Sequence, residues 1–219
     1  MKIGIIGAGF IGRALATLAV KNGNDVMISN SRHPRTLGST GVAIGCKIGT
    51  ALQASEFGDV IFVAIPMFAY KDIAPEPLCG KIVVDANNYY PQRDGDMEEL
   101  QSNATTTSEL LATHLAGTQV VKAFNAILQG DLERDGRPAG TDNRRALPIA
   151  GDNAEAKKVV TRLIDAFGFD VVDAGPLSEG WRFQRAKPAY CIPLDAANLR
   201  LALAAAEKNV EVPHGSWRR

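Results

Sequence analysis

Residues 7–12 read Gly7-Ala8-Gly9-Phe10-Ile11-Gly12, three glycines at GxGxxG spacing between an apolar run and a helical pattern. That spacing suits capture of a pyrophosphate. Gly7 permits a tight turn, Gly9 lets backbone approach the phosphates, and Gly12 lets the helix pack on the strand. A helix N-terminus at Phe10 and Ile11 adds free N–H groups and partial positive charge. A glycine turn without a ligand is the alternative, and the strand–turn–helix context argues against it.

The second informative stretch is Asn30-Ser31-Arg32, after the second apolar run. A site that prefers NAD carries Asp or Glu there to hold the ribose 2′-hydroxyl. This chain has no carboxylate between Asp25 and Glu56. A 2′-phosphate would be repelled by a carboxylate and held by Ser31 and Arg32. Two charge-assisted bonds of about 1.5–3 kcal/mol each favour NADP over NAD by on the order of a hundredfold. NADP(H) is therefore the expected cofactor, with a solvated loop as the alternative. Arg35 either adds a third contact or faces solvent.

Ligands of such folds lie over the carboxyl ends of the strands. Those ends read Ala64-Ile65-Pro66, Asp85-Ala86-Asn87-Asn88 and Ala123-Phe124-Asn125. Ile65, Pro66, Ala86 and Asn87 are expected to line the ribose and nicotinamide, and Asn125 is a candidate orienting residue. Asn87 and Asn125 could each instead cap a loop. No acid–base or nucleophile set is evident. YxxxK is absent, since Tyr70, Tyr89, Tyr90 and Tyr190 are followed four places on by Ala74, Arg93, Asp94 and Leu194. GxSxG and the P-loop are missing as well. Hydride transfer between two ring cofactors needs mainly proximity and alignment, so this absence is compatible with redox chemistry.

The elements that must position these residues alternate. Strand-like runs fall at Lys2–Ile6, 25–28, 59–65, 81–85, 119–123, 147–150 and 169–173. Helical patterns fall at 11–21, Ala51–Phe57, 108–115, from an Asp152-Asn153 cap through Phe167, and 194–208. Run 59–65 is apolar almost throughout, as suits a parallel strand covered on both faces. The polar stretch after Gly130 reads as a loop. The fold class expected is α/β, a Rossmann-type doubly wound, mostly parallel sheet with a small C-terminal helical extension. The division expected is an NADP-binding domain over 1–180 and an extension with a frayed or partner-bound tail over 181–219.

The 219 residues are 46% hydrophobic and 22% charged, with formal net charge zero. A nucleic-acid partner would normally bring a basic excess. Cys46, Cys79 and Cys191 form no CxxC pair, and His33, His114 and His214 show no HExxH spacing, so no metal is expected. The N-terminus reads as a first strand rather than a signal peptide. No apolar run reaches the about 18 residues that span a bilayer. A soluble cytoplasmic protein without membrane or nucleic-acid partners is expected.

Over roughly residues 1–190 the chain resembles the NADPH-dependent reductases of the deazaflavin coenzyme F-420. The likeness rests on GAGFIG, SNSR, FVAIP, VVDANNYYPQRDG and VVKAFN, and most specifically on AGDNAEAKKVV followed by VVDAGPLSEGWRF. It implies that Ser31 and Arg32 hold the 2′-phosphate and that the nicotinamide lies near Ile65-Pro66 and Ala86-Asn87. It further implies a coenzyme F-420 or flavin (FMN or FAD) acceptor stacked alongside, and a homodimer. A histidine tends to follow the sixth strand in the family, where this chain has Asn125. The function expected is hydride transfer between NADPH and a small-molecule ring acceptor. The alternative is a non-catalytic NADP(H)-binding sensor or regulatory subunit. A methyltransferase with a glycine loop is disfavoured, since such sites generally prefer an acidic residue after the second strand.

Overall fold

The strands bury both faces, and this decides the architecture. Along β4 (Val60–Val63), Val60 and Phe62 enter one apolar cluster, while Ile61 and Val63 enter another. β5 (Ile82–Asp85) and β6 (Gln119–Lys122) split in the same way, with Val84 and Val121 on one side and Val83 and Val120 on the other. Period-two alternation with both faces apolar requires helices above and below the sheet.

A computed structural model describes residues 1–213. The elements are, in order, β1 (Lys2–Ile6), α1 (Phe10–Lys21), β2 (Asp25–Ser29), α2 (Gly38–Ile44), β3 (Lys47–Gly49), α3 (Ala51–Phe57), β4 and β5. Next come α4 (Pro91–Asp94), α5 (Glu98–Gln101), α6 (Thr107–His114), β6, α7 (Gln129–Arg134), β7 (Ala146–Gly151), α8 (Ala154–Ala166), β8 (Asp170–Asp173) and α9 (Ala196–Ala204). Four 3-10 segments join them, at Pro34–Leu37, Met67–Asp72, Glu76–Leu78 and Leu177–Phe183.

The eight strands run in the order β3-β2-β1-β4-β5-β6-β7-β8. All neighbours pair parallel except β6 and β7, which pair antiparallel. α1 and α8 cover one face through Leu15, Ala19, Val160 and Ile164, and Leu111 of α6 covers the other. The chain winds outward from β1 to β3 and then crosses back to β4. The crevice at the carboxyl ends of β1 and β4 is thus the topological switch point, where ligands of open α/β sheets bind.

Several boundaries differ from the sequence expectation for local reasons. The strand expected over 59–65 stops at Val63, and Ala64-Ile65-Pro66 leaves the sheet. α2 and β3 were not anticipated, being short, with Gly45 between them and Gly49 as the last residue of β3. The stretch after Gly130 is partly helical, because Asp131 and Asp135 of α7 and its flank pair with buried Arg145 at 3.0 and 2.7 Å. The last helix is shorter than 194–208 and starts from an Asp195 cap. In the expected extension, Phe183, Tyr190, Leu199 and Leu203 share a core with Ala146, Ala150 and Val172 of the sheet. Of the expected tail, residues 214–219 lie outside the described residues. Among the described residues no helix is long and apolar enough to cross a membrane.

Candidate functional site

The turn after β1 is made by Gly7 at φ +113°, in the region that side chains rarely enter. Its N–H donates to Ser29 O at 3.1 Å, which ties the turn to the end of β2. A Cβ on Gly12 would stand 1.9 Å from Gly7 O, so α1 packs directly on the turn. A Cβ on Gly9 would meet nothing within 4 Å. Gly9 is the N-cap of α1 and supplies no side chain to it. The first N–H groups of the helix thus have no side-chain cap, the condition in which a helix start can bind an anion. The Phe10 side chain is 81% exposed, and that of Ile11 packs on the core.

The loop after β2 is shaped by Asn30. Its Oδ1 accepts the Arg32 N–H at 3.0 Å, and its Nδ2 donates to Thr36 Oγ1 at 3.0 Å. Ser29 is buried and donates to Ile5 O at 2.9 Å, anchoring the strand end beneath. Ser31 and Arg32 are exposed on the rim, and Arg32 forms no ion pair among the described residues. His33 Nδ1 accepts the Arg35 N–H at 3.2 Å, which caps the Pro34–Leu37 turn.

These pieces meet in one cavity of about 730 Å³. Gly7, Ala8, Gly9, Asn30, Ser31, Arg32, Ile65 and Pro66 all line it. So do Arg13, Thr50, Leu52, Phe68 and Asp72, which the sequence reading missed. Arg13 stands one helical turn beyond Gly9 and its Nε donates to Ala8 O at 2.9 Å, a spacing that could have flagged it. Asp72 is the single carboxylate in the lining. Leu52 and Phe68 are half or more exposed and give the mouth apolar lips.

Phe10, Ile11, Gly12, Arg35, Ala86, Asn87 and Asn125 are not on the cavity wall. Ala86 is buried in the core. Asn87, also buried, reaches the wall through one bond, its Oδ1 accepting the Ile65 N–H at 2.8 Å. Phe124 takes a left-handed φ of 61°, uncommon for an aromatic residue. Beyond it, Asn125 Nδ2 donates to Asn88 Oδ1 at 3.1 Å and Phe183 O at 2.9 Å. Asn87 Nδ2 and Asn125 Oδ1 have no partner. Their amide orientations are nevertheless fixed, because a flip would face NH₂ to N–H at Asn87 and oxygen to carbonyl at Asn125.

Behind Asn87 lies a buried ion pair that the sequence reading also missed. Asp85 and Lys122 are register partners at the ends of β5 and β6, with Oδ2 and Nζ 3.6 Å apart and no solvent contact. Burial lowers the Lys122 pKa, and Asp85 opposes that shift. The matched positions of VVD and VVK were visible in the sequence, but only the register brings them together.

Fold and cavity together are those of an α/β protein of the dinucleotide-binding type. The family described as NADP oxidoreductase coenzyme F420-dependent matches residues 2–89. A hypothetical protein from Sinorhizobium meliloti is 31% identical, with a TM-score of 0.77 over 89% of this chain and 95% of that one. Metalloreductase STEAP3 from Rattus norvegicus is 32% identical over 198 residues, 88% of this chain and 38% of that protein. A crystal structure of a candidate F420-dependent NADP reductase from Arthrobacter sp. FB24 shares the fold, with TM-score 0.68 at 23% identity, covering 80% of this chain and 85% of that one. The chain belongs to this family of NADP-dependent oxidoreductases. It spans 38% and 52% of the curated relatives it matches.

Proposed function

We propose that the chain passes a hydride between NADPH and a planar ring acceptor, a deazaflavin such as coenzyme F-420 or a flavin. The observation that carries the reading is the cavity at the β1–β4 switch point, with Ser31 and Arg32 on its rim and no carboxylate at the end of β2. The open space before Gly9 would admit the pyrophosphate, and Ser31 and Arg32 would hold the 2′-phosphate. Ile65 and Pro66 would form the wall at the nicotinamide end. NADPH, when bound, supplies the hydride. The protein's part is alignment and exclusion of water, for which the apolar Leu52 and Phe68 lips are suited. The coenzyme named in the family's description supports a deazaflavin.

A second reading is a non-catalytic NADP(H) sensor. It is favoured by the lining itself, in which Asp72 is the single acid and no His, Cys, Lys or Tyr appears. One experiment separates the two. Loss of reduced-nicotinamide absorbance is followed with purified protein and NADPH, in parallel with coenzyme F-420, FMN, FAD and no acceptor, then repeated with NADH. Turnover with one ring acceptor, NADPH ahead of NADH, is the expected result. NADPH binding without turnover in any mixture overturns the reductase reading in favour of the sensor.

A further inference from the structure

We propose that the buried Asp85–Lys122 pair is a positioning device for the nicotinamide end of the cavity, acting on the Ile65-Pro66 wall through Asn87. This inference rests on the NADP(H) reading above and assigns a role to residues that do not touch the cavity.

The geometry is a three-point grip on one residue. Asp85 Oδ1 accepts the Asn87 N–H at 2.9 Å. Lys122 Nζ donates to Asn87 O at 3.2 Å. The Asn87 backbone is therefore clamped on both sides by the two halves of one ion pair. Its side chain then accepts the Ile65 N–H at 2.8 Å. β4 ends at Val63, and Ala64 N–H still bonds to Ile6 O in ladder fashion. Ile65 is the first residue beyond, and its N–H is held by a side chain rather than by a strand. The place of that wall is set by Asn87, and the place of Asn87 by the pair.

The pair is itself locked from α6. Ser108 Oγ donates to Asp85 Oδ2 at 2.5 Å, and Lys122 Nζ donates to Thr107 Oγ1 and Ser108 Oγ at 2.9 and 3.1 Å. Both charged side chains are fully buried. Burying two charges costs several kcal/mol per ion, and apolar residues of like volume often do as well for stability. What apolar residues cannot do is grip an N–H and a C=O at once. Alignment of a ring for hydride transfer is sensitive to shifts of about 1 Å, so a rigid wall has value there.

The test removes both charges and both grips together, Asp85→Leu with Lys122→Met, so that no unpaired buried charge is left. Two ligands are titrated, NADPH and adenosine 2′,5′-bisphosphate, which carries the 2′-phosphate but no nicotinamide. NADPH should bind about tenfold or more weakly. The bisphosphate should change by less than about twofold, since its contacts are remote from the pair. Asn87→Ala, with the pair intact, should give the same split, and it carries the test if the double variant fails to fold. Equal weakening of both ligands, or no weakening of either, overturns the proposal. Failure of the unaltered protein to bind the bisphosphate would instead overturn the NADP(H) reading, so the two failures are distinguishable.

Discussion

Replacing Arg32 by Ala isolates the contribution of one guanidinium to cofactor choice. Asn30 Oδ1 holds the Arg32 backbone N–H at 3.0 Å, so the loop keeps its shape when the side chain is shortened. Arg32 lines the cavity and its guanidinium has no ion-pair or hydrogen-bond partner among the described residues, so no polar protein contact is lost with it. A charge-assisted hydrogen bond contributes about 1.5–3 kcal/mol, and exposure on the rim puts this one at the lower end through solvent screening. About 1.4 kcal/mol is tenfold in affinity. NADPH should therefore bind Arg32→Ala about tenfold more weakly, with NADH nearly unchanged. Fluorescence titration of both cofactors at low and high salt measures this. The NADPH preference of the unaltered protein should narrow as salt rises, and that of the variant should respond less. Equal loss for both cofactors would refute the 2′-phosphate assignment.

Three further predictions concern the turn and the loop after β5. Gly9→Ala adds a methyl where nothing lies within 4 Å, at a φ of −71° that alanine accepts. It should melt no lower than the unaltered protein yet bind both cofactors at least about tenfold more weakly; unchanged titrations would remove the pyrophosphate role of the turn. Gly12→Ala puts its Cβ against Gly7 O and should instead lose about 1–3 kcal/mol of stability by urea unfolding. Asp94 is a buried carboxylate that accepts the Tyr90 N–H at 2.8 Å and two Arg93 bonds at 2.9 and 2.8 Å. Burial pushes its pKa up, but the Arg93 and Tyr90 bonds outweigh it and leave the pKa below the ordinary 3.8. A folded pKa below the unfolded one means stability that is present above the ordinary value and lost as pH falls through the lowered one. Asp94→Asn should cost about 1–2 kcal/mol near neutrality, and the gap should close in acid; a gap independent of pH would sink the linkage.

What could be read from the sequence tracks how local each determinant is. The glycine turn is set by six consecutive residues, and the structure shows the tight turn at Gly7 and the close helix packing at Gly12 that their spacing suggests, with open space beside Gly9. The apolar runs place β1, β4, β5 and β6, because a strand covered on both faces needs nothing beyond its own composition. β3 escaped, since three residues at the sheet edge carry no period. The antiparallel β7 is visible only as a strand, because its direction depends on where the chain returns. α7 escaped for another reason: its acids face Arg145, which lies 14 residues from Asp131.

The two ends of the cavity are built differently, and that difference explains which residues were missed. The end proposed for the phosphates is made largely of backbone and rim side chains contiguous in sequence, so motif and composition reach most of it. The end proposed for the nicotinamide is a wall that includes Ile65 and Pro66, whose support comes from β5, β6 and α6. Asp85 and Lys122 are 37 residues apart and look like ordinary ends of buried strands. Only the register between β5 and β6 turns them into a pair, and only α6 supplies the hydroxyls that satisfy it. Asn87 is expected from the sequence to line the ribose and nicotinamide or to cap a loop, but its side-chain carbonyl oxygen is spent on Ile65 and its amino group has no partner. On the proposed reading its effect on the cofactor runs through the wall it holds, and substitutions there should change nicotinamide placement before they change phosphate affinity.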